Sequence, residues 1–261
     1  MSGPTVLVDV ADGVARVTLN RPDVANAIDP GLADALADAT RGLRARDDVR
    51  VVLLAGAGAR FCGGGDVRGF AAAGQQLGEH LRRILTPLHR AVADLDAIGA
   101  PVVAAVQGTA AGAGLALVAG ADLVVAAAGT RFVLAYTGIG LVPDGGSTWH
   151  LPRLLGRRRA AELAFTNRVL DADEARDWGL VTRVVPGDQL AAEVDGLVAS
   201  LAAGPAVALR ATKRLLRDPS PSLDEQLARE AAAMAHAGGT ADAWEGAAAF
   251  VAKRPPVFGR G

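Results

Sequence analysis

Phe61-Cys62-Gly63-Gly64-Gly65-Asp66 follows the apolar run Val51-Val52-Leu53-Leu54, and about fifty residues later Ala111-Gly112-Ala113-Gly114-Leu115 follows Val102-Val103-Ala104-Ala105-Val106. Each pair reads as a strand that turns into a helix through a segment almost free of side chains. Glycine and alanine suit such turns because the backbone itself must come close to a ligand. Two peptide N–H groups left free at two such turns can converge on one oxygen. That geometry is an oxyanion hole, which stabilises charge developing on a carbonyl. Taken singly, each reads first as an ordinary Gly-rich turn, and a lone turn of this kind is a weak signal.

Outward from these turns, strands alternate with helices. Thr5–Val10 and Val14–Leu19 are β-rich runs around Asp12-Gly13, a strong hairpin signal. Asp29-Pro30 reads as an N-cap and a first-turn proline, opening a helix to about Ala45 with Leu32, Leu36 and Leu43 on its buried side. A strand is expected over Val49–Ala55, and helices over Asp66–Ala73 and Glu79–Ile98. Pro101 opens a strand ending near Gln107, and Gly112–Val118 forms a helix leading to the strand Leu123–Ala127. Helices follow at Gly145–Leu155, Arg157–Phe165 and Ala172–Trp178, then a last strand at Val181–Val185. From Asp188 on the chain reads as helical. This alternation argues for an α/β architecture. The break at Gly204-Pro205 divides the expected organisation into an α/β core over residues 1–204 and a helical region over 205–261.

Composition excludes several classes. The 261 residues carry a net charge of −1, so bulk charge points to neither nucleic acid nor a membrane surface. The chain is 51% hydrophobic but only 4% aromatic, so its core must be packed from Ala, Val and Leu. The one cysteine, Cys62, has no partner for an internal disulfide. Nothing beside Cys62 lowers its pKa, so it reads as a buried structural thiol. Met1–Val10 lacks the basic start and apolar core of a signal peptide. The best apolar run, Ala110–Ala128, is broken by Gly112, Gly114, Gly120 and Asp122. A soluble cytoplasmic protein is expected. His80, His89, His150 and His236 are scattered without ligand spacing, so no metal site is expected.

The segments together resemble the crotonase family, also called the enoyl-CoA hydratase/isomerase family. The resemblance spans nearly the whole chain. It rests on Asn20-Arg21-Pro22 with Asn26-Ala27, on Arg60–Asp66, and on Pro101–Gly108 with Gly112-Ala113-Gly114. It continues through Ala121-Asp122-Leu123, Gly140–Gly146, Glu245-Gly246 and Phe250–Arg254. It implies a spiral of repeated ββα units, a C-terminal helical trimerisation region, and an acyl-CoA thioester substrate whose CoA is the only cofactor moiety. Homotrimers, or pairs of trimers, are implied as well. Carried over, the hole is formed by the N–H groups of Gly65 and Ala113. Val24, Ala25 and Gly63 are implied to follow the CoA adenine and pantetheine. Phe250 and Lys253 match positions that approach CoA, sometimes that of a neighbouring subunit. Lys253 suits a phosphate partner but reads equally as a solvated lysine.

The two glutamates that activate water in hydratase-type members fall on Ala116 and Tyr136. Alanine transfers no proton. Tyrosine, with an ordinary pKa of about 10, is a poor base near neutrality. Asp144 is then the remaining carboxylate at a family catalytic position. It matches an acid/base in some isomerases and a nucleophile in an aryl-CoA dehalogenase branch. Alternatively it caps the helix expected from Gly145. A single carboxylate suits a 1,3-proton shift, so an enoyl-CoA isomerase is the leading expectation. A hydratase with an atypical residue set, a hydrolase or dehalogenase using Asp144 as nucleophile, and a non-catalytic acyl-CoA-binding protein stay open. Tyr136, Phe70 and Trp149 are candidate acyl-pocket residues, with core packing the default for Phe70 and Trp149. Asp66 reads as a helix cap.

Overall fold

Asp12 and Gly13 both adopt left-handed backbone conformations, with φ of 51° and 77°, and turn β1 (Val6–Ala11) back into β2 (Val14–Leu19). The two strands pair antiparallel, with Val6 opposite Leu19 and Ala11 opposite Val14. In a computed structural model, which describes residues 3–259, this hairpin starts a six-stranded sheet. The further strands are β3 (Val51–Gly56), β4 (Val102–Val106), β5 (Thr109–Ala111), β6 (Leu123–Ala127), β7 (Arg131–Val133), β8 (Leu170–Asp171) and β9 (Arg183–Val185). The large sheet runs β1-β2-β3-β4-β6-β9 and is parallel after the hairpin.

A second sheet, β5-β7-β8, was not expected from the sequence. Its strands are two or three residues long, too short to show a period of two. From β4 onward the chain steps between the sheets: β4 large, β5 small, β6 large, β7 and β8 small, β9 large. These steps are the turns of a ββα spiral, the expected fold.

The helices are α1 (Pro30–Arg44), α2 (Val67–Ala73), α3 (Leu77–Ala97), α4 (Ala113–Ala119), α5 (Ser147–Leu155), α6 (Arg157–Thr166) and α7 (Ala172–Trp178). They continue with α8 (Leu190–Ala202), α9 (Ala206–Arg217), α10 (Leu223–Gly238) and α11 (Ala241–Val251). The Asp29 carboxylate caps α1 by accepting the Leu32 N–H, and Asp66 caps α2 by accepting from Arg68 and Gly69, both as expected.

Period-two alternation sorts the large sheet into two cores. Val52, Leu54, Val102, Ala104, Val106, Val124 and Ala126 face the main core with Leu32, Leu36 and Leu88 of α1 and α3. Val51, Leu53, Val103, Ala105 and Val125 face the other way, onto Val194 and Val198 of α8. Burial on both faces explains why these strands read as unbroken apolar runs.

After the turn at Gly204-Pro205, α9 is tied back to this body. The ammonium of Lys213 lies buried against Asp122 at 2.7 Å and donates to the Ala100 carbonyl. Arg210 donates to the carbonyls of Asp47 and Val49. Among the described residues no single helix is long and apolar enough to cross a membrane.

Candidate active site

The two Gly-rich turns lie against each other. Cys62 and Ala110 form a parallel bridge, in which Cys62 N–H donates to Thr109 and Ala111 N–H donates to Cys62. A Cβ on Gly64, whose φ is 92°, would fall 2.9 Å from the Ala111 carbonyl oxygen, so only glycine permits this approach. On the other side Ile28 bridges Gly65. Its N–H donates to the Gly64 carbonyl and its own carbonyl accepts from Asp66, which leaves the Gly65 N–H directed away from this ladder. Ala113 is the first residue of α4, a position whose N–H has no intrahelical acceptor. Among the described residues neither N–H has a backbone or side-chain partner, and both residues line one cavity.

Two buried groups hold this arrangement. The Asn26 side chain, fully buried, donates to the carbonyls of Ala57, Arg60 and Phe61 and accepts the Arg21 N–H. Arg21 pairs with Asp29 at 3.0 Å and reaches Asp66 at 3.7 Å, linking the caps of α1 and α2. Cys62 donates to the Asn26 carbonyl and accepts from Gly64 N–H. Burial pushes its thiol up to about 12, so it is inert, as expected.

The cavity has a volume of about 160 Å³. Its floor is Ile28, Ile84, Leu88 and Leu134, all buried, and its rim is Val67, Ile139 and Val142, all exposed. Phe70 bounds it beside the hole, so close that a Cβ on Gly65 would fall 2.4 Å from the ring. The aliphatic lining was missed from sequence. The spacing Leu81, Ile84, Leu85, Leu88 predicts one apolar face of α3, but nothing in that pattern tells a pocket wall from ordinary core.

The polar wall of this cavity consists of Asp144 and Tyr136. The Tyr136 phenol donates a short hydrogen bond to Asp144 Oδ1. Burial lifts the Asp144 carboxyl above its ordinary range, opposed by the Tyr136 hydrogen bond and by His89. Burial and then the Asp144 charge push the Tyr136 phenol far above its ordinary value. The Gly145 N–H points at His89 Nε2, 3.4 Å away on α3. The capping alternative for Asp144 fails. Helix α5 begins at Ser147 with Gly146 as its N-cap, and it is the Asp144 backbone carbonyl, not its carboxylate, that accepts from the Ser147 N–H and hydroxyl.

The other position noted in the sequence, Ala116, offers no polar group. Ala116 is buried on α4, and a Cβ on Gly145 would fall 2.9 Å from its methyl. Other expected residues distribute as follows. Gly63 lies at the cavity, its N–H donating to the Ala25 carbonyl, so Ala25 and the adjacent exposed Val24 sit just outside. Phe250 on α11 and Lys253 beyond it are exposed and line no part of this cavity. Trp149 is neither core nor pocket. It is 57% exposed, with the Arg153 guanidinium stacked 3.3 Å over its ring, because α5 turns that face to solvent. His150 lies on α5 outside the cavity, and its pKa is lowered, chiefly by burial. Among the described residues no group of His, Cys, Asp and Glu has metal-binding geometry.

A pair of free N–H groups at two strand-to-helix turns of a ββα spiral, sharing one cavity with a half-buried carboxylate, defines a class of protein. Residues 9–261 match the enoyl-CoA hydratase/isomerase family, and the chain belongs to it. It is 39% identical to the 1,2-epoxyphenylacetyl-CoA isomerase of Escherichia coli K12 over 97% of both chains. It is 40% identical to a probable enoyl-CoA hydratase of Rhodobacter capsulatus over 99% of both. A solved structure of a putative enoyl-CoA hydratase from Streptomyces coelicolor superimposes with a TM-score of 0.91 at 34% identity, covering 98% of this chain and 94% of that one.

Proposed function

We propose that this member of the family is an enoyl-CoA isomerase that moves a double bond within an acyl-CoA thioester. The observation that carries the reading is the single carboxylate of the lining, Asp144, which shares with Tyr136 the polar wall of a mostly aliphatic cavity that also holds the two free N–H groups. Ionised, Asp144 takes the C2 proton of a 3-enoyl thioester. The C–H electron pair moves into the carbonyl, and the dienolate oxygen is held by Gly65 and Ala113 N–H. The same carboxyl, now an acid, delivers the proton to C4 and leaves a conjugated 2-enoyl thioester. Burial supports the first step, because a carboxylate with a raised pKa is a stronger base toward the C2 proton, and its conjugate acid then holds that proton in place for return to C4.

Hydration needs a second group to place water and move its proton. The buried methyl of Ala116, packed on Gly145, leaves no such group at that position.

The test uses 3-hexenoyl-CoA. Asp144→Asn keeps the size and the acceptor for Tyr136 but cannot take a proton. It is expected to lower isomerisation, followed by conjugated-thioester absorbance, and C2 deuterium exchange by about 10² to 10⁴-fold. Wild-type exchange in this variant refutes the reading. Solvent ¹⁸O entering the product with wild-type enzyme supports a hydratase instead.

A further inference from the structure

The polar pair in the cavity does more than supply a base. Tyr136 stands where hydratase-type members carry a glutamate, yet its phenol is spent entirely on Asp144. Asp144 Oδ1 accepts that hydrogen, and Oδ2 accepts no hydrogen bond from another residue among the described ones. The two residues also bracket a loop of the cavity rim. Ile139 and Leu141 donate their N–H groups back to the Tyr136 carbonyl, and Ser147 ties down the Asp144 carbonyl. Between them lie Ile139, Leu141 and Val142 of the lining.

We propose that Tyr136 is the positioning residue of this site: its phenol locks Oδ1 of Asp144, so that Oδ2 alone serves as the proton-transferring atom. The proposal rests on the reading of Asp144 as acid/base and extends it. A carboxylate free to rotate presents either oxygen in many orientations. A phenol fixed at one oxygen gives the other a single direction, which a proton transfer between two carbons of one bound substrate requires. The same hydrogen bond also opposes burial. It favours the ionised carboxylate, without which Asp144 would stay protonated to higher pH. The other titratable groups bearing on the pair are His89 of α3, which acts on Asp144, and Cys62 beneath Tyr136. Ala116 of α4, whose methyl packs beside Gly145, carries no titratable group.

Tyr136 is the only tyrosine in the chain, which makes a direct test possible. Growth with 3-fluorotyrosine labels this one site in the intact protein. Its ¹⁹F resonance is expected to titrate as Asp144 takes up its proton, with the same midpoint as the acid limb of kcat/KM for 3-hexenoyl-CoA. The response is expected to persist in His89→Gln and to vanish in Asp144→Asn. Tyr136→Phe is expected to move the acid limb upward by about one pH unit, to lower kcat roughly tenfold, and to leave KM within about twofold. A resonance that stays flat across the acid limb overturns the proposal, as does a Tyr136→Phe enzyme with wild-type kcat and limb. If Asp144→Asn is inactive in either case, the isomerase reading stands and only the role of Tyr136 falls. If Asp144→Asn is fully active, both fall together.

Discussion

Asp144 is held by its surroundings at a cost to stability, and pH exposes this. Its folded-state pKa is raised, chiefly by burial. Between the unfolded value of about 3.9 and the higher folded value, the folded protein keeps a proton that the unfolded chain has released. Stability therefore falls as pH rises through that window, and above it the penalty is present in full. Asp144→Asn removes this cost and keeps an acceptor for Tyr136. The variant is expected to melt at a higher temperature than wild type at neutral pH, with the difference closing as pH drops below the ordinary carboxylate range. Thermal melts of both proteins across that range check it. Equal melting temperatures at neutral pH would mean that the pocket does not disfavour the carboxylate. A more stable but inactive variant is the pattern expected when a functional group is placed against the local preference of the fold.

At the scale of elements, the site depends on where helices start rather than on what their side chains are. Ala113 is the first residue of α4, so proline there removes the N–H without breaking the helix. Gly112 before it has φ 50° and ψ −121°, outside the α region that proline disfavours in its predecessor. Ala113→Pro is therefore expected to fold, by circular dichroism, and to lose roughly 10² or more in kcat, the scale of one oxyanion donor. Ala113→Gly, which keeps the N–H, is expected to stay within about tenfold of wild type. Full activity in a folded proline variant would place the hole elsewhere. These turns were legible in the sequence because each is a local Gly- and Ala-rich break between a β-rich run and a helical pattern, and because two of them occur. The hairpin at Asp12-Gly13 and the caps at Asp29 and Asp66 were legible for the same reason: each is a local signal with its partner within a few residues. What stayed hidden was non-local. The strands β5, β7 and β8 are defined only by pairing across the chain. The Tyr136–Asp144 hydrogen bond joins residues whose separation in sequence carries no mark of contact. Trp149, large and aromatic, was expected inside, but the phase of α5 places it outside.

At the scale of the whole molecule, the surface is uneven in a way a single chain does not explain. Leu216, Leu223, Leu227, Met234, Trp244, Phe250 and Val251 of α9, α10 and α11 are all exposed, and α10 buries none of its described residues. Apolar side chains exposed along three successive helices are what an assembly surface presents. By contrast α9 is fastened to the core by the Lys213–Asp122 pair, so these helices extend from a rigid base. We infer that copies of the chain associate through this face as trimers. Phe250 and Lys253 line no part of their own chain's cavity, so any contact of theirs with bound CoA requires that association. Light scattering at micromolar concentration is expected to give a mass near three or six times 26.5 kDa. A particle of 26.5 kDa under those conditions would remove the assembly and, with it, any contact of these two residues with bound CoA. If the trimer forms, Lys253→Ala is expected to raise KM for 3-hexenoyl-CoA severalfold at constant kcat, because a phosphate partner adds binding that is the same in ground and transition states.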